Sequence, residues 1–240
     1  AAPASDRGRA GRRLDPPSDA RADDLDPDVR RDLRGLAPAT AERVARHLVA
    51  AGRLLDEEPR QALAHARAAR ALAGRVAAVR EAAGLAAYHV GEFTEALAEL
   101  RTARRLDGSP RHLPAMADAE RGLGRPERAL ALAADPAAAR LDAAGRVELL
   151  VVASGARRDL GQPDAALVTL QGPDLDSPTV RPWTPRLWYA YAEALLAAGR
   201  VQDAVDWFDA VATVDEGETD AAGRAAALRT SAEDGADTRA

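Results

Sequence analysis

The sequence predicts an all-α chain: a helical-repeat solenoid of about five antiparallel helix pairs. Three observations carry that reading. Alanine fills 60 of 240 positions, with leucine, arginine and glutamate prominent, whereas isoleucine is absent and aromatic residues make up 3%. Such a composition favours helices and disfavours an extensive sheet. Apolar residues recur at three- and four-residue intervals, the spacing of one helix face. A short turn motif then returns at a nearly fixed distance along the chain.

The elements follow in order. Residues 1–24 contain Pro3, Gly8, Gly11, Pro16 and Pro17, with Leu14 standing alone among charged and small residues. Such a stretch buries too little surface to offset its ordering entropy, so a disordered leader is expected there. Asp26-Pro27 reads as an N-cap followed by proline at the first helical position. Val44, Leu48, Ala51 and Leu55 form one face of a longer helix beginning near Thr40, and Pro59 opens the next. Helices and short turns alternate from residue 25 to about residue 214, the expected repeat domain.

The recurring motif is a glycine with an alanine five residues later. It appears at Gly91 and Ala96, Gly124 and Ala129, Gly161 and Ala166, and Gly199 and Ala204, so successive glycines lie 33, 37 and 38 residues apart. Ala62, 34 residues before Ala96, belongs to an earlier copy without the glycine. The glycine ends one helix in a left-handed conformation. The alanine sits early in the next, where two backbones approach closely. The second helices of the third and fourth units are expected to be short, stopped near Asp135-Pro136 and Gly172-Pro173. The proline-rich stretch 172–185, with Trp183, is either a spacer or a functional connection. Residues 215–240 carry seven acidic residues against three arginines. A capping helix over 219–228 and a frayed acidic tail from Ser231 are expected there.

The last unit resembles the tetratricopeptide repeat: Trp188, Tyr191, Ala192, Leu195, Gly199, Ala204 and Phe208 stand at that family's consensus spacings. The second unit is similar through Gly84, Ala87, Gly91, Phe93, Ala96, Leu100 and Ala103, with Arg80 in place of the family's tryptophan. The whole chain also resembles actinobacterial proteins of this family with undefined role, around 79–87 and 120–132. Absence of isoleucine, asparagine and lysine together fits a GC-rich bacterial genome. The resemblance implies tetratricopeptide-like pairs forming a right-handed superhelix, with the first helix of each pair lining a concave groove. The groove positions it implies include Glu81, Tyr88 and His89 in the second unit and Asp118 and Arg121 in the third. Arg158 follows in the fourth, and Tyr189 and Glu193 in the fifth. His47, Ala51 and Leu54 take the same places in the first unit. Tyrosine gives contact area at low rotamer cost and arginine pairs bidentately with carboxylates, which suits a protein or peptide ligand.

The composition excludes several chemistries. Without cysteine there is no thiolate nucleophile, disulfide or Cys-ligated metal. Without lysine there is no phosphate-loop lysine and no Schiff base. His47, His65, His89 and His112 include no pair at three- or four-residue spacing, and no Gly-x-Ser-x-Gly elbow occurs. No catalytic residue, metal or cofactor is expected, and the chain reads as a non-enzymatic scaffold in the cytoplasm. No stretch is apolar enough to span a bilayer. The alternative is RNA or ribosome association through Arg7, Arg9, Arg12 and Arg13 of the leader, which would contact phosphates in a salt-dependent manner. Self-association through terminal helices stays open.

Overall fold

In the computed structural model, residues 14–237 are described, and all their regular structure is helical. They form two compact units, one ending at Gly108 and the other beginning at Ser109. The first contains α1 (Pro27–Asp32), α2 (Pro38–Arg53), α3 (Pro59–Ala73), α4 (Ala77–His89) and α5 (Phe93–Asp107). In the second lie α6 (Leu113–Gly122), α7 (Pro126–Ala133), α8 (Ala143–Asp159), α9 (Pro163–Leu170), α10 (Thr184–Ala197), α11 (Val201–Ala212) and α12 (Ala221–Asp237). Five antiparallel hairpins result: α2/α3 and α4/α5 in the first unit, α6/α7, α8/α9 and α10/α11 in the second.

The turn glycine does what its position demands. Gly91 adopts φ +77°, where a side chain would be strained. Its N–H donates to Tyr88 O at 2.9 Å, while Glu92 N–H reaches back to Ala87 O at 2.9 Å. That pair of bonds satisfies the carbonyls orphaned at the end of α4. The same pattern closes α6, α8 and α10. Proline then opens α3, α7 and α9 at a position that needs no amide hydrogen. The motif alanines Ala62, Ala96, Ala129, Ala166 and Ala204 are all 0% exposed. These methyl groups set the closeness of each hairpin, and the larger residues Leu63, Leu100, Leu170, Leu195 and Phe208 are buried in the core with them. A fully buried leucine or phenylalanine contributes about 1.5–3 kcal/mol by leaving water.

The short second helices are present, α7 and α9 having eight residues each. After α7, Asp135 accepts from Ala137 N–H at 2.8 Å and caps a 3-10 turn over Pro136–Arg140. The 171–183 connection is anchored: Leu175 is buried, and Trp188 Nε1–H donates to its carbonyl at 3.3 Å.

Two boundaries differ from expectation. Residues 14–24, placed in the disordered leader, lie against α2. Arg46 donates to Pro17 O at 2.8 Å, Arg53 pairs with Asp19 at 2.8 Å and with Asp24 at 3.0 Å, and Ala20 is buried. Arginines of a neighbouring helix hold the segment there together with its few apolar side chains, Ala20 and Ala22. The rest of the leader, 1–13, lies outside the described residues. At the other end α12 continues to Asp237, beyond the expected stop at Leu228. Its Ala-rich stretch contains no proline, and Gly223 and Gly235 are not enough to end it.

Candidate partner-binding site

In the second unit the first helices of two hairpins, α8 and α10, stand beside α12, and an open cavity of about 630 Å³ lies among them. Val151 and Arg158 come from α8; Pro185, Arg186, Tyr189, Ala190 and Glu193 from α10; and Arg224 from α12. Pro182 and the 215–220 loop complete the wall. Residues 186, 189 and 193 of α10 share a face because they follow helical spacing.

The charges of this site are organised in pairs. Glu193 is held between two guanidiniums: Arg158 donates to it at 3.0 Å, and Arg224 bonds its other oxygen. Arg186 forks onto Glu148, with bonds of 2.6 and 2.7 Å. Tyr189 O–H donates to Asp220 at 2.7 Å, and its ring meets Phe208 edge-on at 5.2 Å. Burial, and then the bond to Asp220, push the Tyr189 hydroxyl up to about 12, so it stays a neutral donor. The guanidinium of Arg224 also lies 5.3 Å from the centre of the Phe208 ring. The buried carboxyl of Asp215 fixes the loop, bonding the Thr219 hydroxyl and the Gly217 and Thr219 amides; these bonds keep it below the ordinary carboxylate range.

Of the residues read as groove positions, Arg158, Tyr189 and Glu193 converge here. Asp118 and Arg121 form a different group: Arg121 bridges Asp118 at 2.9 Å and Asp159 of α8 at 2.8 Å. Burial opposes its charge, but Asp159 and then Asp118 more than offset this and raise its proton affinity. In the first unit, Tyr88 and exposed His89 meet edge-on at the end of α4, their rings 5.9 Å apart. Glu81 lines a separate, mainly apolar groove of about 240 Å³ with residues of α1, α2 and α4.

One groove assignment is corrected. His47 is fully buried, with its Nδ1 3.0 Å from Nδ1 of His65 on α3. It faces its hairpin partner because the two imidazoles satisfy each other there. Conversely, Asp220 and Arg224 belong to the site although α12 carries no repeat signature. The signal was the expected capping helix itself, since a helix following a complete pair takes the place of another first helix.

By class, then, this is a helical-repeat protein built of stacked antiparallel hairpins. Its fold is that of the tetratricopeptide repeat. It is similar to the solved structure of YrrB, a TPR protein with an unusual peptide-binding site. The two are 17% identical, with a TM-score of 0.50 over 77% of this chain and 91% of that one. No protein-family model matches the chain, and no curated protein matches it in sequence. Among the described residues, no helix is long and apolar enough to cross a membrane, and no group of His, Asp and Glu is placed to hold a metal ion. The arginines Arg7, Arg9, Arg12 and Arg13, on which an RNA contact would rest, lie outside the described residues.

Proposed function

We propose that the protein is a non-enzymatic interaction scaffold in the cytoplasm, and that it holds a peptide or helix of a partner protein in the cavity between α8, α10 and α12. The observation that carries this reading is the convergence of Arg158, Tyr189 and Glu193 on one open cavity of about 630 Å³. The cavity has an apolar floor of Val151, Ala190 and Pro185, and its rim charges are already oriented by one another. Prearranged side chains lose little rotamer freedom when a ligand arrives, which favours binding. A site of this kind suits recognition: Arg158 and Arg224 are paired with Glu193, Arg186 with Glu148, and Tyr189 donates to Asp220. Peptide binding by YrrB supports the class of ligand. Glu81, Tyr88, His89, Asp118 and Arg121 are proposed to contribute secondary contacts on their own units.

The test is selection of peptides from a displayed random library on the full chain, followed by titration. Val151→Asp and Tyr189→Ala are each expected to weaken the selected peptides at least about tenfold, as loss of a central anchor does, with unchanged helicity. Failure to enrich any peptide, or equal affinity for both variants and the unaltered chain, contradicts the assignment.

A further inference from the structure

The first unit contains an apolar groove that the chain itself partly occupies. Its floor is formed by Leu48 and Ala51 of α2, by Leu55 in the turn after it, and by Ala82 and Leu85 of α4. The open side is met by Leu25, two residues before α1, and by Val29 within it, four residues apart. Both remain half-buried, and an open volume of about 240 Å³ is left between them and the floor. Occupation is therefore incomplete. The segment is fastened at its edges by charge: Asp19 and Asp24 pair with Arg53, at 2.8 and 3.0 Å, in the last turn of α2. Over residues 19–33 it carries six aspartates against three arginines. The floor needs aliphatic side chains at helical spacing, and Arg53, next in sequence to the lining residue Gly52, pairs with the carboxylates that precede them.

We propose that this groove is a docking site for an acidic amphipathic helix of a partner protein, one that presents two aliphatic side chains four residues apart just after a pair of carboxylates, and that residues 19–33 are its intrachain stand-in. The stand-in is held weakly where it matters. Exposed ion pairs such as those of Arg53 contribute only about 0–1 kcal/mol each, and although Ala20 and Leu33 near the two ends of the segment are buried, no side chain of α1 between them is. Its advantage is tethering, which presents it to the groove at an effective concentration in the millimolar range. A partner helix that fills the residual volume has the contacts to displace it. The site is separate from the cavity of the second unit, and either assignment can fail without the other.

The test uses the full chain and a fluorescent synthetic peptide of residues 19–33. Leu25→Ser with Val29→Ser in the chain releases the stand-in. Fluorescence anisotropy is expected to show this double variant binding the peptide at least about tenfold more tightly than the unaltered chain, the factor by which removing an intramolecular competitor raises apparent affinity. Binding should weaken as salt rises and vanish when Leu85→Asp is added. Equal affinity of the two chains, absence of binding by a double variant of unchanged helicity, or salt-independent binding each overturns the proposal. A double variant that sediments as a dimer would assign the groove to a second copy instead and overturn it too. Hydrogen exchange on the unaltered chain is a second reading that needs no variant. The amides of 25–30 should exchange at least about a hundredfold faster than those in the middle of α2, and equal protection overturns a displaceable stand-in.

Discussion

A proton added to His47 creates a charge where the side chain is fully buried and Nε2 has no hydrogen-bond partner. Burial, and then the neighbouring His65, lower its pKa to about 4, and burial lowers that of His65 as well. The unfolded chain binds the proton near pH 6.5, so between that pH and about 4 only the unfolded state takes it up. Stability contributed by the neutral pair is complete above pH 6.5 and is lost as pH falls through that window. The loss should amount to roughly 2–3 kcal/mol by pH 4. Urea titrations at a series of pH values check this: His47→Phe should flatten the decline relative to the unaltered chain, and equal slopes would contradict it. Arg121 shows a related economy of side-chain use. A Cβ placed on Gly155 would lie 2.6 Å from its guanidinium carbon, so the glycine is what lets this arginine cross α8 to reach Asp159.

At the scale of the element, the hairpin depends on one small residue. Ala204 is 0% exposed at the start of α11, against α10. Leucine there forces the helices apart and should cost about 1–3 kcal/mol by overpacking. Val201, one turn earlier and 37% exposed, is the control, and its exchange for leucine should leave the melting temperature almost unmoved. A thermal melt in which Ala204→Leu matches the unaltered chain would refute the close-approach argument. This level of structure was readable in the sequence because its causes are local. Gly91 and its counterparts mark positions that need a positive φ, and Ala204 and its counterparts mark close approaches. Tyr189 and Glu193 were readable as one face by their spacing within α10, and that Arg158 of α8 stands beside them was implied by the resemblance to the tetratricopeptide array. What escaped depends on pairs distant in sequence. His47 meets His65 on another helix, the order of 14–24 depends on Arg46 and Arg53, and Asp220 joins the site through the Tyr189 hydroxyl. None of these leaves a periodic trace.

Over the whole molecule the large side chains are distributed unevenly. The alanine-rich first unit contains no tryptophan, whereas Trp183, Trp188 and Trp207 all belong to the second. Trp188 and Trp207 meet edge-on at 5.8 Å, Tyr191 approaches Trp207 at 4.9 Å, and Trp183 stands beside Pro182 and one residue from Thr184, where α10 begins. Aromatic mass is thus concentrated around the α10/α11 hairpin, next to the larger cavity, whereas the first unit's groove is lined mainly by aliphatic residues, with Glu81 among them. The two surfaces suit different ligands, one a peptide seated against an aromatic ring and mixed charge, the other an acidic aliphatic helix. They should also be distinguishable without labels. A peptide that enters the α8–α10–α12 cavity covers Pro182 and Pro185, flanking Trp183, and is expected to shift the intrinsic tryptophan emission of the chain. Saturation of the first unit's groove by residues 19–33, supplied in trans to the Leu25→Ser, Val29→Ser chain, should leave that emission unchanged, because the peptide contains no tryptophan and the groove has none. An emission change of equal size for both peptides would show that the sites are not independent, and its absence for both would place the first peptide somewhere other than beside α10.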